Sequence, residues 1–311
     1  MKNRIILFLK GVAMGSADVV PGVSGGTMAL ITGIYPQLLD AVRSVDVPVV
    51  RDLLRLQFRK AMSRVHWQFL VVLLSGIISA IIFFTRVVKL PVLMHTQPAA
   101  VYGLFFGLIV GSVWFVAKDI GTLDISAIVF TAVGTALGFL VVNLVPTETP
   151  ENAAFVFFSG AIAICAMVLP GISGSFILLI LRKYEYILGQ IALLGTAETM
   201  HALAVLVPFG LGLVLGITLF TRFLSWLLHH YAKPTMAVLV GFMIGSLWVI
   251  WPWQNRTYEM VRGKERLLHS EPMLPVAGSS DLTLGVTMMV VGLVLVLVLE
   301  KLARAKAPAT A

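Results

Sequence analysis

The feature that most constrains this chain is a helix-breaking motif that occurs twice inside apolar sequence of membrane length. Residues 21–26 read PGVSGG and residues 170–175 read PGISGS. Pro21, Gly22, Ser24 and Gly25 match Pro170, Gly171, Ser173 and Gly174, and Tyr35 matches Tyr184 at the same offset. Hydrocarbon offers no partner to a free backbone N–H or C=O. An interrupted helix at membrane depth is therefore tolerated only where it is buried in protein or lines a cavity. A break repeated at corresponding positions of two halves points to a transporter's binding site.

The surrounding composition is that of an integral membrane protein. Of the 311 residues, 59% are hydrophobic and 12% charged, against about 25% charged in a soluble domain, and the mean hydropathy is +0.96. The opening MKNRIILFLK runs directly into the first motif, so no cleaved leader is expected. The net charge of +8 comes from Lys and Arg placed mainly between apolar segments. That pattern fits membrane topology, not nucleic-acid binding. The single Cys165 lies in an apolar run and reads as a structural thiol. The six His are scattered, with His229 and His230 after a helix end, so neither a metal nor another cofactor is expected.

Further matches extend the repeat. Phe84-Thr85-Arg86 aligns with Phe220-Thr221-Arg222, and Gly107, Gly111, Ser112 and Trp114 align with Gly241, Gly245, Ser246 and Trp248. The glycine spacing suits close helix approach. Pro98 and Pro234 precede the glycine-bearing helix in each case. We therefore expect an all-α polytopic membrane protein made of two inverted repeats, 1–145 and 150–311. Each repeat would comprise a broken re-entrant hairpin (5–41 and 153–195) and three spans (67–88, 99–117 and 125–145, then 202–228, 235–253 and 282–300). The basic stretch Arg43, Arg51, Arg55, Arg59, Lys60 and Arg64 should be cytoplasmic. Both termini, with Lys2, Arg4, Lys10 and then Lys301, Arg304, Lys306, fall on the same side. Residues 146–152 and the 254–280 loop fall outside. An odd number of spans per half inverts one half relative to the other.

The motifs carry candidate chemistry. Pro fixes φ and Gly permits close backbone approach. A helix starting just after each motif exposes unpaired N–H groups that favour phosphate or carboxylate. The candidate phosphate ligands are Gly22, Ser24, Gly25, Gly26 and Thr27 in the first copy and Gly171, Ser173, Gly174 and Ser175 in the second. The plainer role for Ser24 and Ser173 is to cap their own half-helices; two copies favour the anion role. Arg86 and Arg222 are matched cations at apolar helix ends, which either meet the phosphate or snorkel to the interface. Lys89 lacks a counterpart and reads as snorkelling. Asp18 is the only acidic residue deep in an apolar segment, and its counterpart is Met167. It would pair with an Arg, accept a coupling proton or cation, or cap the half-helix. Tyr35 and Tyr184 read as interfacial anchors, and Arg182, Lys183 and Glu185 as interfacial charges.

The run GVAMGSADVVPGVSGGTMALITGIY together with PGISGSFILLI resembles the bacterial PopT-type polyprenyl-phosphate transporters, formerly a domain of unknown function, over nearly the whole chain. The resemblance implies a multi-pass plasma-membrane protein that returns undecaprenyl phosphate from the outer to the cytoplasmic leaflet. Such a protein recycles the lipid carrier of peptidoglycan and other envelope polymers. The second half departs at Arg182-Lys183, which replaces Gly33-Ile34. Two alternatives stand beside it. A polyprenyl-pyrophosphate phosphatase would need an Arg beside the motif serine and a pair of intramembrane Glu, and neither copy carries that Arg. An ion-coupled carrier of a small soluble anion would use the same half-helix ends.

Overall fold

The computed structural model describes residues 2–20, 23–45, 47–121, 124–144, 149–261 and 264–304. Each motif interrupts a helix. The first hairpin comprises α1 (Lys2–Asp18), α2 (Gly25–Ile31) and α3 (Tyr35–Arg43). Ser24 is extended and caps α2, its Oγ accepting the Gly26 N–H at 3.1 Å. Gly33 turns the chain into α3 at φ +69°, a conformation that costs glycine little. Two amphipathic helices, α4 (Val47–Leu54) and α5 (Phe58–Arg64), then carry the basic stretch. Asp52 is buried there and pairs with Lys60 and Arg64 at 3.6 and 3.5 Å.

The first long helix is α6 (Trp67–Ile82), prolonged by a π-helical turn over Phe83–Val87. A short α7 (Leu90–Thr96) leads to α8 (Pro98–Asp119) and α9 (Ile125–Val142). The second hairpin is α10 (Ala153–Val168), α11 (Gly174–Ile180) and α12 (Tyr184–Ala192), followed by α13 (Thr199–His230), α14 (Ala232–Ser246) and α15 (Ser280–Arg304). Arg182 takes the turn position held by Gly33, at φ +51°.

Among the described residues, five segments are long and apolar enough to cross a membrane: Trp67–Val87, Pro98–Lys118, Ile125–Val142, Thr199–His230 and Ser280–Val298. In the span expected at 235–253 the helix covers Ala232–Ser246, about 22 Å, and turns follow at 247–250. Pro252 disfavours helix at the residue before it and removes a donor, so α14 cannot run on to 253. The segment expected as a loop at 254–280 contains an antiparallel hairpin, β1 (Gln254–Val261) with β2 (Lys264–Pro272). The all-helical expectation therefore holds with that one addition.

Four helix pairs build the body: α1 with α6, α10 with α13, α8 with α15 and α9 with α14. Gly11 backs onto the Leu73 carbonyl and Gly15 onto Ile77, so α1 and α6 advance together. Gly103 and Gly107 meet Gly285 and Met289, and Gly134 and Gly138 meet Val238 and Phe242, so those pairs are parallel too. A Cβ at Gly11, Gly15, Gly103, Gly107 or Gly134 would collide with backbone of the facing helix.

The contacts recur between the two parts of the chain. Gly76 meets Phe8 as Gly212 meets Phe157; Gly107 meets Met289 as Gly241 meets Thr131; Gly292 meets Leu104 as Gly134 meets Val238. Helix α8 is the most enclosed of the long helices. Its Tyr102, Phe105 and Ile109 share one core with Val23, Met28 and Tyr35 of the first hairpin.

Candidate functional site

The two hairpin tips dock onto each other. The Thr27 hydroxyl accepts the Gly171 N–H at 2.9 Å. The Ser24 Oγ donates to the Leu169 carbonyl at 3.2 Å and the Tyr35 hydroxyl to the Val168 carbonyl at 3.1 Å. All three side chains come from the first hairpin and all three partners are backbone of the second. Ser24, Thr27 and Tyr35 are at most 1% exposed. Tyr35 is thus a core strut, not the interfacial anchor its sequence position suggests.

The first tip is closed electrostatically. Asp18 Oδ1 accepts the Gly25 N–H at 2.7 Å, so a carboxylate already occupies the positive end of α2. Gly25 makes room for it, since a Cβ there would lie 2.6 Å from Asp18 Oδ2. At the other end of α2, Lys10 Nζ donates to the Thr32 carbonyl at 2.6 Å. One short helix is therefore bracketed by opposite charges from α1, each matched to the dipole. Of the sequence candidates in this copy, Gly22 lies outside the described residues. The N–H groups of Gly25 and Gly26 are both satisfied internally.

The second tip lacks that closure. Met167 stands in place of Asp18, Ser159 in place of Lys10 and Phe176 in place of Thr27. The Ser159 hydroxyl bonds to the Phe155 carbonyl within its own helix. Ser173 makes no capping bond with its side chain. Its Oγ pairs with Ser175 Oγ at 2.8 Å, and both residues are half-buried. Gly171 adopts φ +86° against the Phe242 carbonyl and Met243, a place where any side chain would meet both strain and backbone. Gly174 backs onto the Ala163 carbonyl.

The remaining candidates are spread out. Arg86 lies on the exposed side of the π-helical turn and Arg222 on an exposed face of α13. Among the described residues neither forms an ion pair or hydrogen bond with a tip. On α13 the inward positions beside Arg222 are Thr221 and Ser225, and Ser225 receives Arg43 Nη1 at 2.6 Å.

Lys183 differs from its expected interfacial role. It is 1% exposed, donates to the Thr149 carbonyl at 3.1 Å, and lies over the Phe155 and Tyr186 rings at 5.5 and 5.4 Å. Ring faces and one carbonyl thus replace its water. Sequence offered little signal for this, because only Tyr186 lies within a turn of Lys183, while Thr149 lies 34 residues earlier and Phe155 on α10. Among the described residues no cluster of three metal-ligating side chains exists.

Long apolar helices around two interrupted hairpins, joined tip to tip, define a multi-pass membrane protein organised as transporters are. The chain belongs to the VCA0040-like, undecaprenyl phosphate translocase-like family, whose family model matches residues 14–267. It is 38% identical to a polyprenyl-phosphate transporter of Vibrio cholerae serotype O1 over 253 residues, 81% of this chain and 79% of the relative. It is 29% identical to a polyprenyl-phosphate transporter of Staphylococcus aureus over 264 residues, 79% of this chain and 86% of the relative. No solved structure matches the chain.

Proposed function

We propose that the protein carries polyprenyl phosphate, in bacteria undecaprenyl phosphate, from the outer to the cytoplasmic leaflet of the plasma membrane, as a transporter and not an enzyme. The observation that carries this reading is the docking of two broken hairpins on one another in a chain whose relatives are polyprenyl-phosphate transporters. A charged head group is costly to move through hydrocarbon, and a polar joint between half-helices lowers that barrier.

The helix pairing supports inverted halves. Crossings that alternate from α6 outward, through α8 inward, α9 outward, α13 inward and α14 outward, to α15 inward make all four observed pairs parallel. They also set the matched helices α8 and α14 antiparallel. With the basic α4–α5 segment on the cytoplasmic side, both termini are cytoplasmic and the β-hairpin is external.

The second tip is the phosphate seat of this reading: Ser173, Ser175 and the Gly174 backbone, with hydroxyls that among the described residues bind each other. Ser24 and Thr27 hold the joint. Arg86 and Arg222, on the helices that embrace the two hairpins, supply positive charge to the head group on its way in and out. Asp18 is the coupling group: its carboxylate holds the Gly25 N–H of the first tip, and proton or cation uptake loosens that hold.

The test is reconstitution in liposomes with head-group-labelled polyprenyl phosphate or pyrophosphate, following leaflet exchange and phosphate release together. Exchange without release is expected. Release of phosphate makes the protein a hydrolase. Movement of inorganic phosphate without lipid exchange makes it a small-anion carrier.

A further inference from the structure

Helices α4 and α5 pack chiefly against each other. Asp52, 2% exposed, closes the pair from inside. Its carboxylate takes Lys60 and Arg64, and its carbonyl accepts the Gln57 N–H at 2.9 Å. Ala61 is buried on the same side of α5.

The other side of this small hairpin is apolar and cationic. Leu56 makes the turn between the helices at φ +56° and is 75% exposed. Phe58 and Met62 stand one turn apart on the outer face of α5, 58% and 42% exposed. Arg55 and Arg59 flank Leu56 and Phe58 in the chain, and Arg51 lies one turn before Arg55, whose N–H donates to its carbonyl at 3.1 Å. All three Arg are exposed. Asp52 is the one acidic residue between 47 and 66, and it is turned inward.

The hairpin is pinned beside the start of a span. The His66 N–H donates to Ser44 Oγ at 3.1 Å, so the two ends of the excursion meet. Trp67 opens α6 three residues after Arg64 ends α5, a reach of about 10 Å at most. Trp67 is itself exposed, as aromatic residues at a membrane–water boundary are. The apolar face of α5 is therefore held close to the level at which α6 enters the bilayer.

We propose that the α4–α5 hairpin docks on the bilayer surface and binds the anionic phospholipids of the leaflet beside it. Leu56, Phe58 and Met62 enter the boundary between head groups and acyl chains, while Arg51, Arg55 and Arg59 meet lipid phosphates. This is the chemistry of amphipathic helices that lie in the interface, where apolar side chains partition and cations are drawn to negative head groups. The concentration of Arg around the apolar residues favours a negatively charged surface as the occupant. The tether to α6 places that surface within reach. The inference rests on α6 spanning the membrane and not on the transport reading.

The experiment uses the full chain in nanodiscs, with a nitroxide at Gln57→Cys in a Cys165→Ser background. Gln57 is exposed between Leu56 and Phe58, and its side chain makes no capping bond. Collision with a water-soluble nickel chelate reports how far the label is open to water. Collision is expected to fall about threefold or more when phosphatidylglycerol is added to phosphatidylcholine nanodiscs. Replacing the three Arg together (Arg51→Gln, Arg55→Gln, Arg59→Gln) is expected to restore the phosphatidylcholine value, since each Arg near an anionic surface is worth about fivefold in affinity. High salt should do the same without those replacements, by screening.

Equal, high collision in both lipids overturns the proposal. So does shielding that is equal in both lipids and indifferent to salt, which would make the contact apolar alone. Shielding in native membrane vesicles but in neither nanodisc assigns the face to a protein partner and overturns it as well.

Discussion

The first hairpin tip closes itself, while the second is held from outside and keeps its own hydroxyls apart from the joint. Asp18, Lys10, Ser24, Thr27 and Tyr35 all belong to the first hairpin, and their bonds fasten either α2 or the backbone of the second. Ser173 and Ser175 bond to each other. Two copies of one motif have thus diverged into a fastening and an open seat. The divergence lies in a few neighbouring positions (Asp18 against Met167, Lys10 against Ser159, Thr27 against Phe176), while the motif residues themselves hardly differ.

The largest effect should come from the contact between the second tip and α14. Gly171→Val introduces strain at φ +86° and a clash with Phe242 and Met243. It is expected to destabilise the protein by about 3 kcal/mol or more, read as a lowered thermal midpoint in detergent. Gly33→Ala has a positive φ but nothing within 4 Å of the new Cβ, and should cost about 1 kcal/mol.

A swap of closure sharpens the comparison next. Asp18→Ala leaves the Gly25 N–H without its acceptor, a loss of about 1–3 kcal/mol of stability read as a lowered thermal midpoint. Met167→Asp places a carboxylate at the second tip. It is expected to suppress lipid-phosphate exchange at least tenfold through like-charge repulsion, with the thermal midpoint falling less than in Asp18→Ala. Equal exchange in Met167→Asp and wild type would move the phosphate seat away from the second tip.

The hydroxyls separate fastening from seat. Ser24→Ala and Thr27→Val each remove a buried bond between hairpins and should lower stability by about 1–2 kcal/mol. Ser173→Ala with Ser175→Ala should hardly change the melting curve but should weaken polyprenyl-phosphate binding several-fold, measured by titration in detergent. The opposite pattern would reverse the assignment of the two tips.

The smallest effect lies far from both tips. The hydrogen bond from Lys233, and then that from the Ala127 N–H, holds the exposed Asp124 carboxyl below its ordinary range. A depressed carboxyl contributes stability above its unfolded pKa of about 3.9 and loses it as pH falls through the lowered folded value. A shallow acid-side drop in the melting curve is expected, and Asp124→Asn should flatten it.

The sequence by itself determined the membrane class, the interruption of a helix at each motif and most of the long apolar helices. These follow from local rules: Pro and Gly break helices, and an apolar run of about 20 residues spans hydrocarbon. The early end of α14 was legible in Pro252, yet its apolar flanks outweighed that signal. Only the tertiary structure decided that Asp18 spends its carboxylate on Gly25, that Tyr35 bonds Val168 across 133 residues, and that Lys183 is enclosed by ring faces. The physical reason is that a breaker or an apolar length acts within its own segment. A buried polar group takes its meaning from whichever distant backbone the fold brings within 3 Å.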